Sequence, residues 1–453
     1  MNLKNGDTQS LAVRLTPEQV AAGEPALRYQ WNAPIVLSPH NPAIVYIANQ
    51  YVWRSMSNGN TGTFVRISPD LTKADKEKLA LAKKTNLQWA TVYSFSESPK
   101  KPGLYWAGTD DGNVQMSPDG GNSWVNITNQ FYDGSGKPKA GVKGDIIPYD
   151  RWVKRVVASA FDEKTAYAAF SGYRTHNEDT TWLFVTKDLG KTWTNISGGM
   201  NNTIFDVEED PENANVLYLG TDNGIFVTID QGKTWSAFST SMPPITIRDL
   251  VIQKRDREMA IGTYGRGFYV ADVGPIKEFK AEVFQANAYL FEPKTTIKWN
   301  RFERRGDTLG EMAKADNPPV GSTLYYYLKG DAQKVQITIK DLEGNTVQEL
   351  TPSSKKGLQK VFWGLNRQLA AGQAGGGQRS AGGQRGGAPA AGAPGAPDAP
   401  VVNNPDQPPQ APAGGRGGGR NLVDAGVYKV TLTVDGKEVA TKRLTVSPDP
   451  MFN

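Results

Sequence analysis

The 453-residue chain contains no cysteine and only two histidines, and each shortage excludes a class of chemistry. Without cysteine, the chain can form no disulfide, no thiol nucleophile and no thiolate metal site. His40 and His176 are too few for a histidine-rich metal centre, so acid–base chemistry would have to rest mainly on carboxylates. The sequence therefore predicts neither a metal site nor a bound cofactor.

Long apolar runs and clusters of one charge are also missing. No stretch reaches the roughly 18 apolar residues of a membrane-spanning helix. The polar start MNLKNGDTQS lacks the apolar core of a secretory signal. Lys and Arg number 51 against 46 Asp and Glu, without a polybasic stretch. We therefore expect no membrane insertion, no signal peptide in this chain and no nucleic-acid partner.

Three octapeptides repeat the form S/T-x-D-x-G-x-S/T-W, at 117–124, 186–193 and 228–235. The acidic side chain can accept backbone N–H groups in a tight turn, and the glycine allows a positive φ. The tryptophan can bury a large ring between neighbouring sheets. A degraded fourth copy lies at Ser55–Phe64. The residues predicted to hold these turns are Asp119, Gly121, Trp124, Asp188, Gly190, Trp193, Asp230, Gly232 and Trp235.

A second pattern precedes each octapeptide: an apolar strand, a short turn and another strand that usually ends in glycine. Asp188 and Asp230 lie 42 positions apart, a period that fits a four-stranded propeller blade with the octapeptide between its third and fourth strands. The predicted fold class is all-β, with β-propeller blades over residues 1–273. About five blades are expected, and the fifth lacks an octapeptide and an obvious fourth strand. Their first strands begin near Ala33, Thr91, Arg155, Ile204 and Ile247.

The octapeptides resemble the Asp-box, or bacterial neuraminidase (BNR) repeat, of sialidases, xyloglucanase-type glycosidases and the sortilin ectodomain. The stretch from Trp31 to Val273, with GTDDGNVQ and GTYGRGFYV, resembles the later blades of bacterial sortilin-like proteins often labelled BNR-repeat glycosyl hydrolases. The resemblance implies a secreted, periplasmic or cell-surface protein that corresponds to the C-terminal portion of longer relatives. Two interpretations of the incomplete ring stay open. Either Leu11–Leu15 supplies the missing outer strand and closes a small ring, or the upstream blades belong to another chain or were lost.

The pattern changes after residue 273. Residues 274–320 are predicted to be a connector, and residues 321–453 alternate β-forming residues with turn residues, including a hairpin about Asp435-Gly436. This region resembles the Ig-like module of flagellar hook-cap proteins, which implies a β-sandwich. It is interrupted by residues 371–420, whose Gly, Ala and Pro content predicts a disordered insertion.

Loop lengths predict where a functional site could lie. The turns between first and second strands are all short, whereas long insertions at 71–89, 129–152 and 172–182 fall on the opposite face. The predicted ligand-binding residues are Arg151, Trp152, Tyr173, Arg174 and His176. The candidate catalytic acids are Asp145, Asp150, Glu178 and Asp179, and Tyr149 lies among them. Trp31, Trp53 and Trp106 are expected to be core residues.

Three functions fit these patterns, and the residues leave open whether the protein is an enzyme. The first is a recognition or scaffold protein that binds a glycan, protein or peptide through the loop-rich face. The second is a glycoside hydrolase that uses a carboxylate pair on an extracellular polysaccharide. The third is a subunit that completes a larger propeller with another chain. Sialidase activity is not expected, because Phe64-Val-Arg-Ile-Ser departs from the F/Y-R-I-P segment of that family.

Overall fold

The computed structural model describes residues 10–85, 87–133, 135–238, 242–300, 319–368 and 421–450. The chain divides into two compact units, Met1–Phe279 and Lys280–Asn453. Across the described ranges, no helix is both long and apolar enough to cross a bilayer.

The first unit consists of antiparallel sheets, each built from strands that follow one another along the chain. Blade one contains β1 (Ile35–Leu37), β2 (Val45–Ala48), β3 (Val52–Ser55) and β4 (Val65–Arg66). Blade two contains β5 (Val92–Glu97), β6 (Tyr105–Thr109), β7 (Val114–Ser117) and β8 (Val125–Asn126). Blade three contains β9 (Trp152–Ala158), β10 (Ala166–Ser171), β11 (Trp182–Thr186) and β12 (Thr194–Asn195).

Blades four and five complete this unit as it is described. Blade four contains β13 (Ile204–Glu209), β14 (Leu217–Thr221), β15 (Gly224–Thr228) and β16 (Ser236–Ala237). Blade five contains β17 (Ile247–Gln253), β18 (Glu258–Thr263) and β19 (Phe268–Asp272). The short helices are α1 (Pro17–Ala21), α2 (Lys76–Thr85), α3 (Thr128–Phe131), α4 (Tyr173–His176) and a 3₁₀ turn at Ile276–Glu278. The predicted blades are confirmed, including the three-stranded fifth sheet.

Neighbouring blades pack face to face, because their strands are apolar on both sides. Trp106 of β6 is fully buried in one cluster with Val153 and Val156 of blade three. Tyr218 of β14 is buried in the same way against Leu250 and Met259 of blade five. Burying both faces explains why the second strands read as nearly continuous apolar runs rather than alternating ones.

The octapeptides are turns between third and fourth strands, as predicted. Asp188 accepts the N–H of Thr192 at 2.9 Å and its hydroxyl at 2.6 Å, and the other two boxes repeat both bonds. Gly232 has a φ of +84°, and a Cβ there would lie 2.8 Å from the Cβ of Ile196 in the preceding blade. Trp235 also reaches that blade, because its Nε1 donates to the Ile196 carbonyl at 2.8 Å. The box therefore shapes its own turn and joins two blades.

The degraded box of blade one keeps part of this geometry. The Gly59 N–H donates to the Ser55 hydroxyl at 3.2 Å, as Gly190 does to Thr186 at 2.9 Å. The Ser55 and Thr63 hydroxyls are 2.7 Å apart and bond to each other in place of the missing carboxylate.

The segment Leu11–Leu15 forms no strand and does not complete blade five. Leu11 and Val13 instead pack against Ile47 and Tyr51 of blade one. The interpretation that this segment closes a small ring as an outer strand is therefore wrong, because Leu11 and Val13 are partly buried against blade one.

The second unit contains two sheets around one apolar core that includes Tyr326, Ile337 and Trp363. One sheet has the order β20 (Ala288–Leu290), β22 (Ser322–Leu328), β25 (Gly357–Trp363). The other has the order β21 (Thr296–Lys298), β27 (Lys437–Pro448), β26 (Gly426–Val434), β23 (Val335–Lys340), β24 (Thr346–Leu350), and α5 (Ala281–Gln285) precedes them in the chain. Strands β20 and β21 lie inside the predicted connector but belong to these sheets.

The predicted hairpin about Asp435-Gly436 is confirmed, since both residues have a positive φ and join β26 to β27. The Ig-like character of the unit stays a prediction. The predicted insertion 371–420 lies outside the described residues.

Candidate ligand-binding groove

The Asp boxes and the long insertions lie on opposite faces of the propeller. The Gly120 N–H donates to the Gly103 carbonyl at 2.8 Å, and Leu189 donates to Lys164 at 3.0 Å. These bonds join each box to the first-to-second-strand turn of its own blade. Because strands alternate in direction, the blade-to-blade links and the second-to-third-strand loops lie at the other end of each sheet.

That loop-rich face contains a groove of about 530 Å³. One wall comes from α2 and the link that follows it, the second from blade three, and the third from the chain before blade one. The groove is lined by Lys78, Leu81, Ala82, Leu87, Gln88 and Trp89, by Asp150, Trp152, Thr175 and His176, and by Gln30 and Trp31.

Two buried aspartates of the GTDDG segment hold the walls in place. Asp111 accepts the N–H of Lys73 at 2.8 Å, just before α2. Asp110 accepts the N–H of Thr91 at 2.8 Å and the side-chain amide of Gln30 at 3.0 Å. Burial raises the pKa of Asp110 to about 7. The pair anchors loops, and among the described residues no group of three acidic, His or Cys side chains is placed to hold a metal.

Lys73 and Arg28 tie the α2 wall to its surroundings. The Lys73 ammonium lies 3.3 Å from the centre of the Tyr149 ring and donates to the Tyr149 carbonyl. Burial lowers the pKa of Lys73 to about 8. At the other end of the wall, Arg28 donates to the Ala90 carbonyl at 2.9 Å and to Asp70 at 2.7 Å. These bonds fix both ends of the insertion that contains α2.

Aromatic rings form the floor of the groove. The ring of Trp152 lies 5.3 Å from that of Tyr93 and 6.4 Å from that of Trp89, measured between centroids. The ammonium of Lys154 lies 3.7 Å from the centre of the Trp152 ring. Trp152 is therefore held firmly in its position. Trp31 lines the groove with 83% of its surface exposed, which corrects the expectation that it belongs to the core.

A charged cluster lies around the blade-three side of the groove. The guanidinium of Arg151 donates from Nε and Nη2 to both oxygens of Glu178, at 2.9 and 2.7 Å, and from Nη1 to Asp150. The Nε2 atom of His176 lies 3.0 Å from Arg151 Nη1 and 3.1 Å from Asp150 Oδ2. The hydrogen bonds from Arg151 hold the pKa of Glu178 below its usual value. Glu178 is thus kept ionised, opposite to the raised pKa that a general acid needs.

The structure brings together Asp150, Arg151, Trp152, His176 and Glu178 among the predicted site residues. Two other predicted acids bond elsewhere: Asp145 accepts the N–H of Asn195 at 2.7 Å, and Asp179 accepts the Thr203 hydroxyl at 3.4 Å. Tyr173 is exposed on α4, and the side chain of Arg174 lies outside the description.

Sequence reasoning missed the α2 wall and Trp31. One signal was present, because Lys78, Leu81 and Ala82 follow the i, i+3, i+4 spacing of one helical face. No comparable local pattern marked Trp31, which lies ahead of the first strand.

The fold defines a β-propeller of Asp-box blades, and one family comparison agrees. The sequence model of the Sortilin-Vps10 family, described as sortilin, neurotensin receptor 3, matches residues 181–275. The predicted likeness to sortilin-like Asp-box repeats is thereby confirmed over that stretch. No curated protein matches the chain.

Several solved structures match the chain at low sequence identity. An ancestral GH74 enzyme is 12% identical, with 72% of this chain and 39% of that chain covered and a TM-score of 0.37. The GH74 xyloglucanase from Xanthomonas campestris is 10% identical, with coverages of 74% and 46% and a TM-score of 0.40. YCF48 from Cyanidioschyzon merolae is 13% identical, with coverages of 72% and 84% and a TM-score of 0.33. The chain spans less than half the length of the two GH74 structures.

Proposed function

We propose that this protein is a recognition protein whose groove binds an extended protein or peptide segment through apolar side chains. The observation that carries the proposal is the exposed apolar lining of a preformed groove. Leu81, Leu87 and Trp31 are each at least 60% exposed, although they line one concave surface. Fully burying a side chain of this size is worth about 1.5–3 kcal/mol, so a ligand that covers them gains affinity from each.

The walls of the groove are already fixed, so binding a ligand costs no additional entropy to order them, which favours affinity. The α2 wall is bonded at both ends through Asp111 and Arg28, and the floor is held by aromatic rings in tilted contact. Gln88 and Thr175 add an amide and a hydroxyl to the same lining, and such groups suit a peptide backbone. A preorganised groove of this kind favours recognition of a segment in one register.

The charged cluster supports binding rather than glycoside hydrolysis. A hydrolase needs one carboxyl group that stays protonated until it donates to the leaving oxygen. Glu178 is engaged through both oxygens by Arg151, and the same guanidinium also binds Asp150. We therefore assign this cluster a positioning role, as a brace between the blade-three loops that border the groove.

A glycan is the second candidate ligand, and Trp31 is the observation that favours it. Its largely exposed ring beside the groove offers a flat surface on which a sugar ring could stack. The leucine-lined α2 wall favours the peptide, since sugars need more polar partners than Leu81 and Leu87 provide. An extracytoplasmic location is part of the proposal and rests on the sortilin-like resemblance alone.

Peptide and glycan arrays probed with the full chain test the proposal. We expect peptides with apolar side chains to bind, and Leu87→Ala or Trp31→Ala to weaken that binding by about tenfold or more. Tyr173→Ala with Arg174→Ala tests the predicted rim residues. Lys100→Ala with Lys101→Ala is the matched control, because these residues lie on the Asp-box face.

Each of the other functions predicts a different experimental outcome. Binding to glycans alone, lost in Trp31→Ala, would favour the second candidate. Polysaccharide hydrolysis that disappears in Glu178→Gln would favour the hydrolase and contradict the proposal. Binding that depends on Lys100 and Lys101 but not on the groove would overturn the assignment of the face.

A further inference from the structure

We infer that the outward face of blade five is a docking surface for a further propeller blade carried by a different polypeptide. This blade-five face is defined by Asp249, Val251, Ala260, Gly262, Phe268 and Val270. The inference is independent of the groove and rests on how the joints between blades are built within this chain.

The first feature of such a joint is a side chain on the inner strand that accepts an N–H from the next blade. Ser94 of blade two accepts from Val156 of blade three at 2.9 Å. Asp206 of blade four accepts from Leu250 of blade five at 2.7 Å. The two acceptors occupy the same position, because Ser94 pairs with Gly108 and Asp206 pairs with Gly220.

The second feature is the glycine that each acceptor pairs with. A Cβ on Gly108 would lie 2.3 Å from Cγ1 of Val153, and a Cβ on Gly220 would lie 2.9 Å from Cγ2 of Ile247. Val153 and Ile247 are β-branched residues at the start of the next blade's first strand. The glycine is needed because that side chain occupies the place of a Cβ.

Blade five has the acceptor-type residue and the glycine of such a joint, although no described blade follows it. Asp249 pairs with Gly262, in the register of the earlier acceptor–glycine pairs. A Cβ on Gly262 would have only Asp249 within reach, at 3.6 Å, and the residue has no positive φ. Neither the backbone conformation nor any described neighbour therefore requires this glycine. A β-branched side chain from outside would require it, as it does at Gly108 and Gly220.

The apolar positions of the joint are also present on the blade-five face. Phe268 pairs with Gly262 as Val114 pairs with Gly108, and Val114 is fully buried against blade three. Phe268 is 88% exposed and Val270, two residues on, is 69% exposed. Ala260 occupies the position of Trp106 in blade two, and the large ring on this face is that of Phe268 on the neighbouring strand. An apolar patch of this kind on a sheet face is typical of an interaction surface.

Blade one of a second copy does not meet the requirements of this joint. In blades three to five the β-branched residue lies two positions before the residue that pairs with the glycine or alanine of the second strand, as Ile247 does before Asp249. The corresponding residue of blade one is Asn32, whose amide donates to the Tyr93 hydroxyl at 3.1 Å. Leu11 and Val13 also cover part of the surface on that side of blade one. Blade one of a second copy is therefore excluded, and the proposed partner carries a blade that begins with a β-branched residue and presents inner-strand N–H groups.

The absence of cysteine makes a site-specific test direct. A benzophenone attached through Val270→Cys on the full chain, irradiated in an extract of the cells that produce it, is expected to link to one partner polypeptide. Peptide mapping should place the link in the first strand of a propeller blade. Val65→Cys, on an equally exposed valine of blade one, is the matched control and should not form that link.

Gly262→Val separates docking from folding. Its melting temperature should equal that of the unchanged chain, because a Cβ at this position would make only ordinary van der Waals contacts, with Asp249 at 3.6 Å and beyond. Its affinity for the purified partner should fall by about tenfold or more, since the β-branched residue of the partner would collide with it. A link to a second copy, to Lys280–Asn453 or to a protein without propeller repeats would overturn the inference. The absence of any link, or unchanged affinity of Gly262→Val, would do the same.

Discussion

Arg151 and Glu178 form a two-bond ion pair in which the guanidinium Nε and Nη2 donate to the two carboxylate oxygens at 2.9 and 2.7 Å. The pair joins the link that enters blade three to the insertion within that blade, 27 residues further on. Both side chains are partly exposed, so the pair contributes modest stability and its main effect is on loop position.

Glu178→Gln should weaken ligand binding without unfolding the propeller. The amide keeps one acceptor for Arg151 but loses the charge, so we expect affinity to fall about three- to tenfold, measured by calorimetry. Because the pKa of Glu178 is lowered, its contribution is present above the unfolded-state pKa and is lost as the pH falls through the folded-state pKa. Equal ligand affinities of the Glu178→Gln variant and the unchanged chain would contradict the positioning role.

Asp188→Ala should destabilise blade three. The substitution removes the acceptor of the Thr192 N–H and of two hydroxyl groups, which we expect to cost about 1–3 kcal/mol of unfolding free energy. Chemical denaturation measures this change, and ligand affinity at a permissive temperature should stay the same. A collapse of affinity with an unchanged denaturation curve would show that the box has a direct binding role.

The stability of the first unit should fall as the pH rises from about 5 to 8. Burial raises the pKa of Asp206 to about 7 and that of Glu208 to about 8, both near the joint between blades four and five. Between the unfolded-state and folded-state values the native protein binds more protons than the unfolded chain, so raising the pH favours unfolding. Each group lowers the free energy of unfolding by at most about 1.4 kcal/mol for each pH unit of increase.

Glu208→Gln tests this pH dependence, because it removes one of the two titrations. Urea denaturation at pH 6 and pH 8 should show a smaller difference in the variant than in the unchanged chain. Glu163→Gln, on a short turn of the box face, is the control and should leave the difference unaltered. An equal pH dependence in all three proteins would show that Glu208 is not titrating in this range.

Deleting residues 372–419 should leave the second unit folded. The residues on either side are already adjacent, since Arg367 donates to the Asn421 carbonyl at 2.9 Å and Val423 donates to Leu365 at 2.8 Å. A short connection is therefore sufficient, and closing it costs less entropy than closing a long one. Thermal unfolding of the deletion variant measures this. Val423→Asp, at a fully buried position, is a destabilised control. A large fall in melting temperature on deletion would show that the segment contributes to packing.

The blades could be predicted from the sequence because an Asp box is a local structure. Asp188, Gly190 and Thr192 form one turn by themselves, so their spacing is visible in the residues. The position of Trp31 could not be predicted in that way. It lies four residues before β1, and only the path of the chain across the loop-rich face brings it to the groove.

The candidate site was predicted in part for the same reason. Asp150, Arg151 and Glu178 belong to two insertions that meet on neighbouring loops, and the topology of the blades is enough to bring them together. Asp145 belongs to the same insertion as Asp150, yet it bonds to the outer strand of blade three at Asn195. Nothing in the order of residues distinguishes these two acids, because the difference arises from how the insertion folds.

The contact between Trp235 and the Ile196 carbonyl of the preceding blade gives the array of blades a direction. The Trp124 indole likewise donates to the preceding blade, to the Ile67 carbonyl of blade one at 2.9 Å. Ahead of blade one the corresponding surface belongs to Leu11 and Val13, and the box of blade one ends in Phe64, whose side chain has no N–H to donate. The repeats are consequently not interchangeable. A chain rearranged to place blade two first would leave the Trp124 indole without its acceptor. Blade three would lose no such bond, because the buried Trp193 indole donates to no described group.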